Sequence, residues 1–184
     1  MRKILNEELG RLTAEEFATA PKMPVTVVLD NVRSALNVGS FFRTCDAFAV
    51  ERIMLCGITA APPDREIHKT ALGAELTVAW ERSASTAECI GRLHREGYTV
   101  LAVEQVEGAV MLHGLDVLTV SAEQNDKKYA LVFGNEVEGV DQQAADLCDG
   151  AIEIPQAGTK HSLNVSVAGG VVLWEFFCHL QLKA

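Results

Sequence analysis

Short runs of apolar and β-branched residues alternate along this chain with segments of helical length, and this alternation limits the possible folds. The runs are of the kind that lies buried in a sheet, and polar loops follow most of them. Strands are predicted at residues 24–30, 52–58, 98–104, 129–134 and 152–154, with a weaker candidate at 76–80. Helices are predicted at residues 14–20, 40–49, 85–96, 141–147 and 163–182, with one or two helical turns between 61 and 75. The pattern predicts an α/β domain with a largely parallel sheet.

Length and composition indicate an ordinary globular protein. The 184 residues suffice for one domain with a substantial core, and we expect a single domain over residues 1–184 with a short helical lead at 1–23. No apolar run approaches the roughly 20 residues of a membrane helix, and the N-terminus lacks the features of a signal peptide. Five cysteines without CxxC spacing indicate reduced thiols and no metal site. We therefore expect a cytoplasmic protein without a membrane or metal partner.

The formal net charge of −9 counts against nucleic acid as a partner, because phosphate binding favours basic surfaces. The distribution of charge matters more than the sum. A local basic site on an acidic body is possible, since several basic residues fall in or beside predicted loops: Arg33, Arg43, Arg65, His68, Lys69, Lys160 and His161.

Residues 152–177 combine a short apolar strand, a polar loop and a long apolar helix. Ser162 and Asn164 stand where that helix should begin, and both residue types cap helices well. Free backbone N–H groups at such a helix start can hold a polar ligand. The segment therefore predicts either a binding loop or only a capped C-terminal helix.

Three segments of the chain resemble the motifs of the SpoU/TrmH family of SPOUT RNA 2′-O-methyltransferases. The first motif is matched by NVRSALNVGSFFRTCDAFAV (31–50), the second by LVFGNEVEGV (131–140), and the third by IPQAGTKHSLNVSVAGGVVLWE (154–175). The resemblance implies the SPOUT fold, with a mostly parallel sheet, helices on both faces and a C-terminal trefoil knot. It also implies a homodimer in which two subunits complete the active site.

The resemblance assigns catalytic roles to Arg43, Asn37, Glu136, Ser162 and Asn164. Arg43 would position the ribose hydroxyl and stabilise developing negative charge, because a guanidinium is very costly to deprotonate. Structural alternatives remain for each residue. Asn37 could cap a helix while Arg43 lies on a solvated helix face; Glu136 could join the motif loops; and Ser162 and Asn164 could serve only as caps.

The resemblance further implies S-adenosylmethionine as cofactor and RNA as substrate. The expected cofactor contacts are Val103, Glu104, Gly134, Ile154, Gln156 and Leu163. The expected RNA contacts are Arg33, Arg43, Lys69 and Lys160, although Arg33 could equally be a surface residue.

Methyl transfer to a ribose 2′-oxygen is the function we predict. We favour tRNA over rRNA as the substrate, because no extra domain is evident. One alternative is a non-catalytic RNA-binding module, against which the joint presence of the five catalytic residue types argues. Another is a SPOUT enzyme that methylates a base, and the pairing of Asn37 with Arg43 favours the ribose branch. A dinucleotide enzyme is disfavoured because no GxGxxG follows the first strand.

Overall fold

Seven parallel strands form one sheet in the computed structural model, which describes residues 1–115 and 127–182. The strands are β1 (Met23–Asp30), β2 (Val50–Cys56), β3 (Trp80–Ser83), β4 (Tyr98–Val103), β5 (Val110–Met111), β6 (Lys128–Phe133) and β7 (Gly150–Glu153). Their order across the sheet is β3-β2-β1-β6-β4-β7-β5, and each neighbouring pair is parallel. The predicted parallel α/β architecture is confirmed.

Six α-helices are described, and each begins after a side chain that accepts a backbone N–H of the first turn. They are α1 (Ala14–Thr19), α2 (Ala35–Ala47), α3 (Arg65–Ala71), α4 (Thr86–Arg95), α5 (Gln142–Leu147) and α6 (Val165–Phe177). The capping residues are Thr13, Ser34, Asp64, Ser85, Asp141 and Asn164. Such caps satisfy N–H groups that have no partner within the helix, so the sequence itself sets where each helix starts.

The core has two layers, one on each face of the sheet. Side chains such as Leu29 and Leu131 pack with α2, α3 and α6, whereas their neighbours Val28 and Val132 pack with α4 and α5. Successive side chains of a buried strand point to opposite faces, which is why β1 and β6 are mostly apolar on both faces. Helices therefore lie on both faces, as predicted.

Several predicted boundaries are wrong. The helix after β1 begins at Ala35 and not at residue 40, because Ser34 caps it, and this places Asn37 within its first turn. The strand predicted at residues 76–80 is replaced by a 3₁₀ turn, Ala74–Leu76, and by β3. Residues 110–114 form β5 and a 3₁₀ turn, Leu112–Gly114, and residues 116–126 lie outside the described part.

The last helix is more apolar than expected. Together with the π-helical turn Cys178–Leu182, α6 forms an 18-residue segment with a mean hydropathy of 1.4, of which 22% is buried. By length and composition alone it could cross a membrane, contrary to the expectation that no run approaches this length. Packing helices of soluble proteins have the same composition, and Val172, Leu173 and Phe176 are fully buried against the sheet.

Two glycines allow α2 to lie close to its neighbours. A Cβ atom on Gly169 of α6 would lie 2.3 Å from the ring of Phe41, and one on Gly39 would lie 2.3 Å from the Ile67 carbonyl oxygen. The adjacent Gly170 has no neighbouring atom within 4 Å. The two helix crossings therefore require glycine at residues 39 and 169, and they fix α2 between α3 and α6.

Candidate functional site

A cavity of about 530 Å³ opens at the carboxyl ends of β4, β6 and β7, beside the start of α6. Open parallel sheets bind ligands outside the carboxyl ends of their strands. All six residues that we expected to contact the cofactor line this cavity: Val103, Glu104, Gly134, Ile154, Gln156 and Leu163. Glu136, Ser162 and Asn164 line it as well.

One wall of the cavity is the tight loop between β6 and α5. Asn135 and Gly139 exchange both backbone hydrogen bonds, at 3.0 and 3.1 Å, and the Asn135 side chain accepts from the amides of Val137 and Glu138. The loop folds back so closely that a Cβ on Gly134 would lie 1.9 Å from the Gly139 carbonyl carbon. Glycine at residue 134 is therefore a steric requirement of the loop.

Glu104 joins this loop to the end of β4. Its carboxylate accepts the amide hydrogen of Val140 at 3.0 Å and that of Gln105 at 2.8 Å. Gly139 has a φ of +72°, and a Cβ there would lie 2.1 Å from the Glu104 carboxylate. The described contacts of Glu104 thus hold the cavity walls together.

Glu136 and Asn37 connect the loop after β6 to α2. The Glu136 carboxylate accepts the backbone N–H groups of Arg33 and Ser34, each at 3.2 Å, and the Asn37 side-chain amide at 2.8 Å. Partial burial acts to raise the pKa of Glu136, but these hydrogen bonds outweigh it and lower the pKa below its ordinary value. Glu136 therefore remains ionised and acts as a hydrogen-bond acceptor at the start of α2.

The same asparagine continues the connection to α6. The Asn37 carbonyl oxygen accepts from the Asn164 amide at 3.2 Å and lies 3.4 Å from the Ser166 hydroxyl. Asn164 in turn caps α6 through the amides of Ser166 and Val167. One continuous hydrogen-bonded network, Glu136–Asn37–Asn164, thus joins the start of α2 to two segments that lie 99 and 127 residues further along the chain.

Comparison with known families gives a match of residues 24–174 to the SpoU rRNA Methylase family. The match covers most of the chain. The chain belongs to this family.

Individual relatives agree with the family assignment. The chain is 33% identical over 168 residues to a tRNA (guanosine(18)-2′-O)-methyltransferase of Thermus thermophilus, covering 91% of this chain and 81% of the relative. It is 30% identical over 169 residues to the 23S rRNA (guanosine-2′-O-)-methyltransferase RlmB of Vibrio vulnificus, covering 92% of this chain and 65% of that protein.

Solved structures agree with the fold. The A. aeolicus TrmH/SpoU tRNA modifying enzyme superposes with a TM-score of 0.77 at 25% identity, covering 92% of this chain and 81% of that one. An AdoMet-bound rRNA methyltransferase from Sinorhizobium meliloti superposes with a TM-score of 0.74 at 28% identity, and the match covers 87% of this chain and 61% of that one. The SPOUT fold predicted from the motifs is confirmed, and the trefoil knot is implied by that fold.

Arg43 does not line the cavity of its own chain in this SpoU-family structure. It lies on the exposed face of α2 together with Leu36 and Ala47, seven residues before it and four after it. Among the described residues, its guanidinium has no hydrogen-bond or ion-pair partner. The side chain is therefore available to another molecule.

The other basic residues predicted to contact RNA are all exposed. Arg33 lines a second depression of about 530 Å³, on the other side of the loop after β6. Lys69 on α3 pairs with Glu66, and Lys160 lies in the loop before α6 without a described partner. The three cations belong to three different segments, which are the loop after β1, α3 and the loop before α6.

Asn135 and Gln105 are residues of the site that were not predicted from the sequence. Asn135 orders the loop after β6, and the Gln105 side chain donates to the His161 carbonyl oxygen at 2.7 Å. Asn135 immediately follows Gly134 in the second motif, which could have indicated its role. Gln105 follows a strand without any pattern that could have indicated one.

Proposed function

We propose that this chain is an S-adenosylmethionine-dependent RNA methyltransferase that modifies a ribose 2′-oxygen, with tRNA as its substrate ahead of rRNA. Membership of the SpoU family and the guanosine 2′-O-methyltransferases among its relatives support this proposal. The observation that carries it is the Glu136–Asn37–Asn164 network, because it bonds the first motif segment to the two motif segments that line the cavity.

The cavity suits the proposed cofactor in size and lining. A volume of about 530 Å³ lies within the range of pockets for small molecules. Ile154 and Leu163 offer apolar contact to an adenine ring, and the backbone of residues 134–139 can approach a ligand closely. Glu104 adds a carboxylate at the wall. Among the described residues, no group of three or more His, Cys, Asp or Glu side chains could hold a metal.

The chemistry requires positioning and electrostatic stabilisation from the protein. When bound, S-adenosylmethionine would supply a sulfonium-bound methyl group for in-line attack by a ribose oxygen, so that the S–C bond breaks as the O–C bond forms and S-adenosylhomocysteine leaves as the neutral thioether. Ser162 at the cavity wall, with Asn37 and Asn164 in the network, would orient polar groups near the reacting centre. Arg43 would bind the ribose or its phosphate through its planar fork and stabilise negative charge on the oxygen as the hydroxyl proton passes to solvent.

A homodimer would bring Arg43 to a cavity, which its own chain does not do. The exposed face of α6 carries a stripe of apolar residues at helical spacing, defined by Val167 (53% exposed), Val171 (40%) and Trp174 (50%). Leu163 (40%), just before the helix, extends this stripe to the cavity wall.

The stripe borders the face of α2 that carries Arg43, since Trp174 lies against Phe48 at the end of α2. An exposed apolar surface of this kind is typical of an interface. In the proposed dimer, Arg43 of each protomer acts at the cavity of its partner.

Labelled methyl transfer tests the function directly. Total RNA incubated with the protein and S-adenosylmethionine labelled in the methyl group should yield a labelled 2′-O-methylnucleoside, recovered from tRNA ahead of rRNA. A label on a base would support another SPOUT branch. Protein that binds RNA but neither binds nor uses the cofactor would support a non-catalytic module instead. A role in RNA modification also fits the cytoplasmic location that we propose.

A further inference from the structure

The loop of residues 155–163 forms the outer wall of the cavity but has little attachment to the rest of the protein. Every residue of this loop is exposed. Gln156, His161, Ser162 and Leu163 nevertheless line the cavity. Among the described residues, one hydrogen bond joins this loop to another part of the chain, and it runs from the Gln105 side-chain amide to the His161 carbonyl oxygen at 2.7 Å.

Gln105 is well placed to restrain the loop because its own backbone is fixed. Its amide donates to the Glu104 carboxylate at 2.8 Å, and the Glu104 amide donates to the Ile152 carbonyl at 3.1 Å. The other oxygen of the Glu104 carboxylate holds Val140. Gln105 therefore extends from a rigid junction of β4, β7 and the loop after β6 to the loop 155–163.

The accepting carbonyl belongs to the residue directly before Ser162 and Leu163. Fixing it restricts the backbone conformation of both following residues, up to the cap of α6 at Asn164. When a loop must be ordered before a ligand can bind, the apparent affinity for the ligand is the affinity of the ordered state multiplied by the fraction of time that the loop is ordered. Prior ordering by one hydrogen bond removes part of that cost.

We infer that Gln105 is a positioning residue of the cofactor site, which holds the loop 155–163 in its binding conformation without taking part in the chemistry. The inference rests on the proposed function, since it concerns the same cavity. Removing the donor should weaken cofactor binding by about three- to fivefold, which corresponds to one ordinary hydrogen bond. The methyl-transfer rate at saturating cofactor should stay within about twofold, because bound cofactor would itself hold the loop, including Ser162, in the ordered conformation.

Calorimetry with S-adenosylhomocysteine tests this inference, because the product lacks the sulfonium charge and so limits electrostatic effects of the variants. Gln105→Met keeps the length of the side chain but has no donor, and it should bind about three- to fivefold more weakly. Gln105→Lys restores a donor and should recover most of the affinity. Gln143→Met is the matched control, since Gln143 is an exposed glutamine on α5 whose side chain has no described partner.

The outcomes separate the inference from the proposed function. Wild-type protein that binds no S-adenosylhomocysteine contradicts the proposed function itself. Wild-type binding with unchanged affinity in Gln105→Met overturns only the role of Gln105. A lower melting temperature of ligand-free Gln105→Met, with Gln105→Lys equally weak in binding, identifies a general structural role and also overturns it.

Discussion

Arg43 is an exposed side chain without a described partner, and the proposed chemistry depends on it more than on any other residue. Arg43→Ala should reduce turnover by on the order of a hundredfold, the typical loss on removing a positioned charge-stabilising donor. Cofactor affinity should stay within a few-fold, because Arg43 does not line the cavity of its own chain. Arg43→Lys should recover little, since an ammonium cannot reproduce bidentate geometry.

Steady-state methylation kinetics and calorimetry on the same preparations check this prediction. Arg82→Ala is the control, because Arg82 is an exposed arginine on β3 that has no described side-chain partner. Near-normal turnover of Arg43→Ala would mean that the arginine is only a surface residue. Loss of folding would mean that its role is structural.

Glu136 should contribute to stability in a pH-dependent way. Its hydrogen bonds lower its pKa in the folded protein below the ordinary value of 4.5. A carboxyl group with a lowered pKa stabilises the fold fully above the unfolded-state pKa, and this stabilisation is lost as the pH falls through the folded-state pKa. Glu136→Gln should cost about 1 kcal/mol near pH 7, a modest value because the side chain is exposed.

Urea denaturation of wild type and Glu136→Gln between about pH 7 and pH 3 measures this effect. The difference in unfolding free energy should shrink below about pH 4.5, where the wild-type carboxylate takes up its proton. Glu138→Gln is the matched control, since Glu138 lies in the same loop and its carboxylate has no described hydrogen bond. A difference independent of pH would contradict the proposed origin.

Residue-level prediction from the sequence succeeded where a motif carries the information. Asn164 was predicted as a helix cap or site residue, and it is the cap of α6 and a member of the network. The motif did not show that Asn37 bridges Glu136 and Asn164, because this depends on packing between segments far apart in sequence. Gln105 was missed for the same reason, as its partner is a backbone carbonyl 56 residues away.

At the level of elements, the helix crossing between α2 and α3 depends on Gly39. A Cβ there would lie 2.1 Å from the Thr70 hydroxyl and 2.3 Å from the Ile67 carbonyl oxygen, which is backbone and cannot rotate away. Gly39→Ala should therefore destabilise the protein by about 1–3 kcal/mol, despite the higher helix propensity of alanine.

Gly91→Ala provides the comparison, because Gly91 also lies within a helix but meets only the end of Arg95, at 3.6 Å. It should be neutral or stabilise the protein by up to about 1 kcal/mol. Chemical denaturation of both variants measures the contrast. Equal effects of the two substitutions would show that close packing at the crossing is not limiting.

Elements themselves were predictable where apolar runs are long and well bounded. β1, β4 and β6 lie within two residues of their predictions, because buried strands need continuous apolar residues. The start of α2 was placed too late, since Asn31, Ser34, Asn37 and Gly39 are residue types common in loops and make the stretch before residue 40 look like one. Their helical state depends on the cap at Ser34 and on Glu136, which lies about a hundred residues further along the chain.

At the level of the whole molecule, the order of strands could not be read from the pattern of residues. β6 lies between β1 and β4, and the central position of this late strand arises from the chain path of the fold. Alternation alone predicts any of several parallel sheets, and an ordinary doubly wound sheet would be the default. The family motifs supplied the correct fold because they encode its path indirectly.

Assembly can be tested at the apolar stripe of α6. Sedimentation at micromolar concentration should show a dimer for the wild type. The double variant Val171→Glu, Trp174→Glu should be a monomer. Both side chains are about half-exposed, and their charged replacements would be buried in the dimer interface. Turnover should fall with the dimer, since Arg43 would lose access to a cavity. A fully active monomer would refute the proposed assembly.

Mixing two inactive variants decides whether Arg43 acts within its own chain or on its partner. One variant is Arg43→Ala and the other is Gly134→Ala, whose added Cβ would lie 1.9 Å from the Gly139 carbonyl carbon and so displace the loop that forms one wall of the cavity. If Arg43 acts on the partner, a mixed dimer holds one complete site, formed by the arginine of one chain and the intact cavity of the other. Random exchange of subunits should then restore about a quarter of the wild-type activity, because half of the dimers are mixed and each has one working site.

If Arg43 acts within its own chain, no protomer in the mixture has both parts, and activity remains at the level of the separate variants. That result would return Arg43 to its own cavity and require a movement of α2 that brings it there.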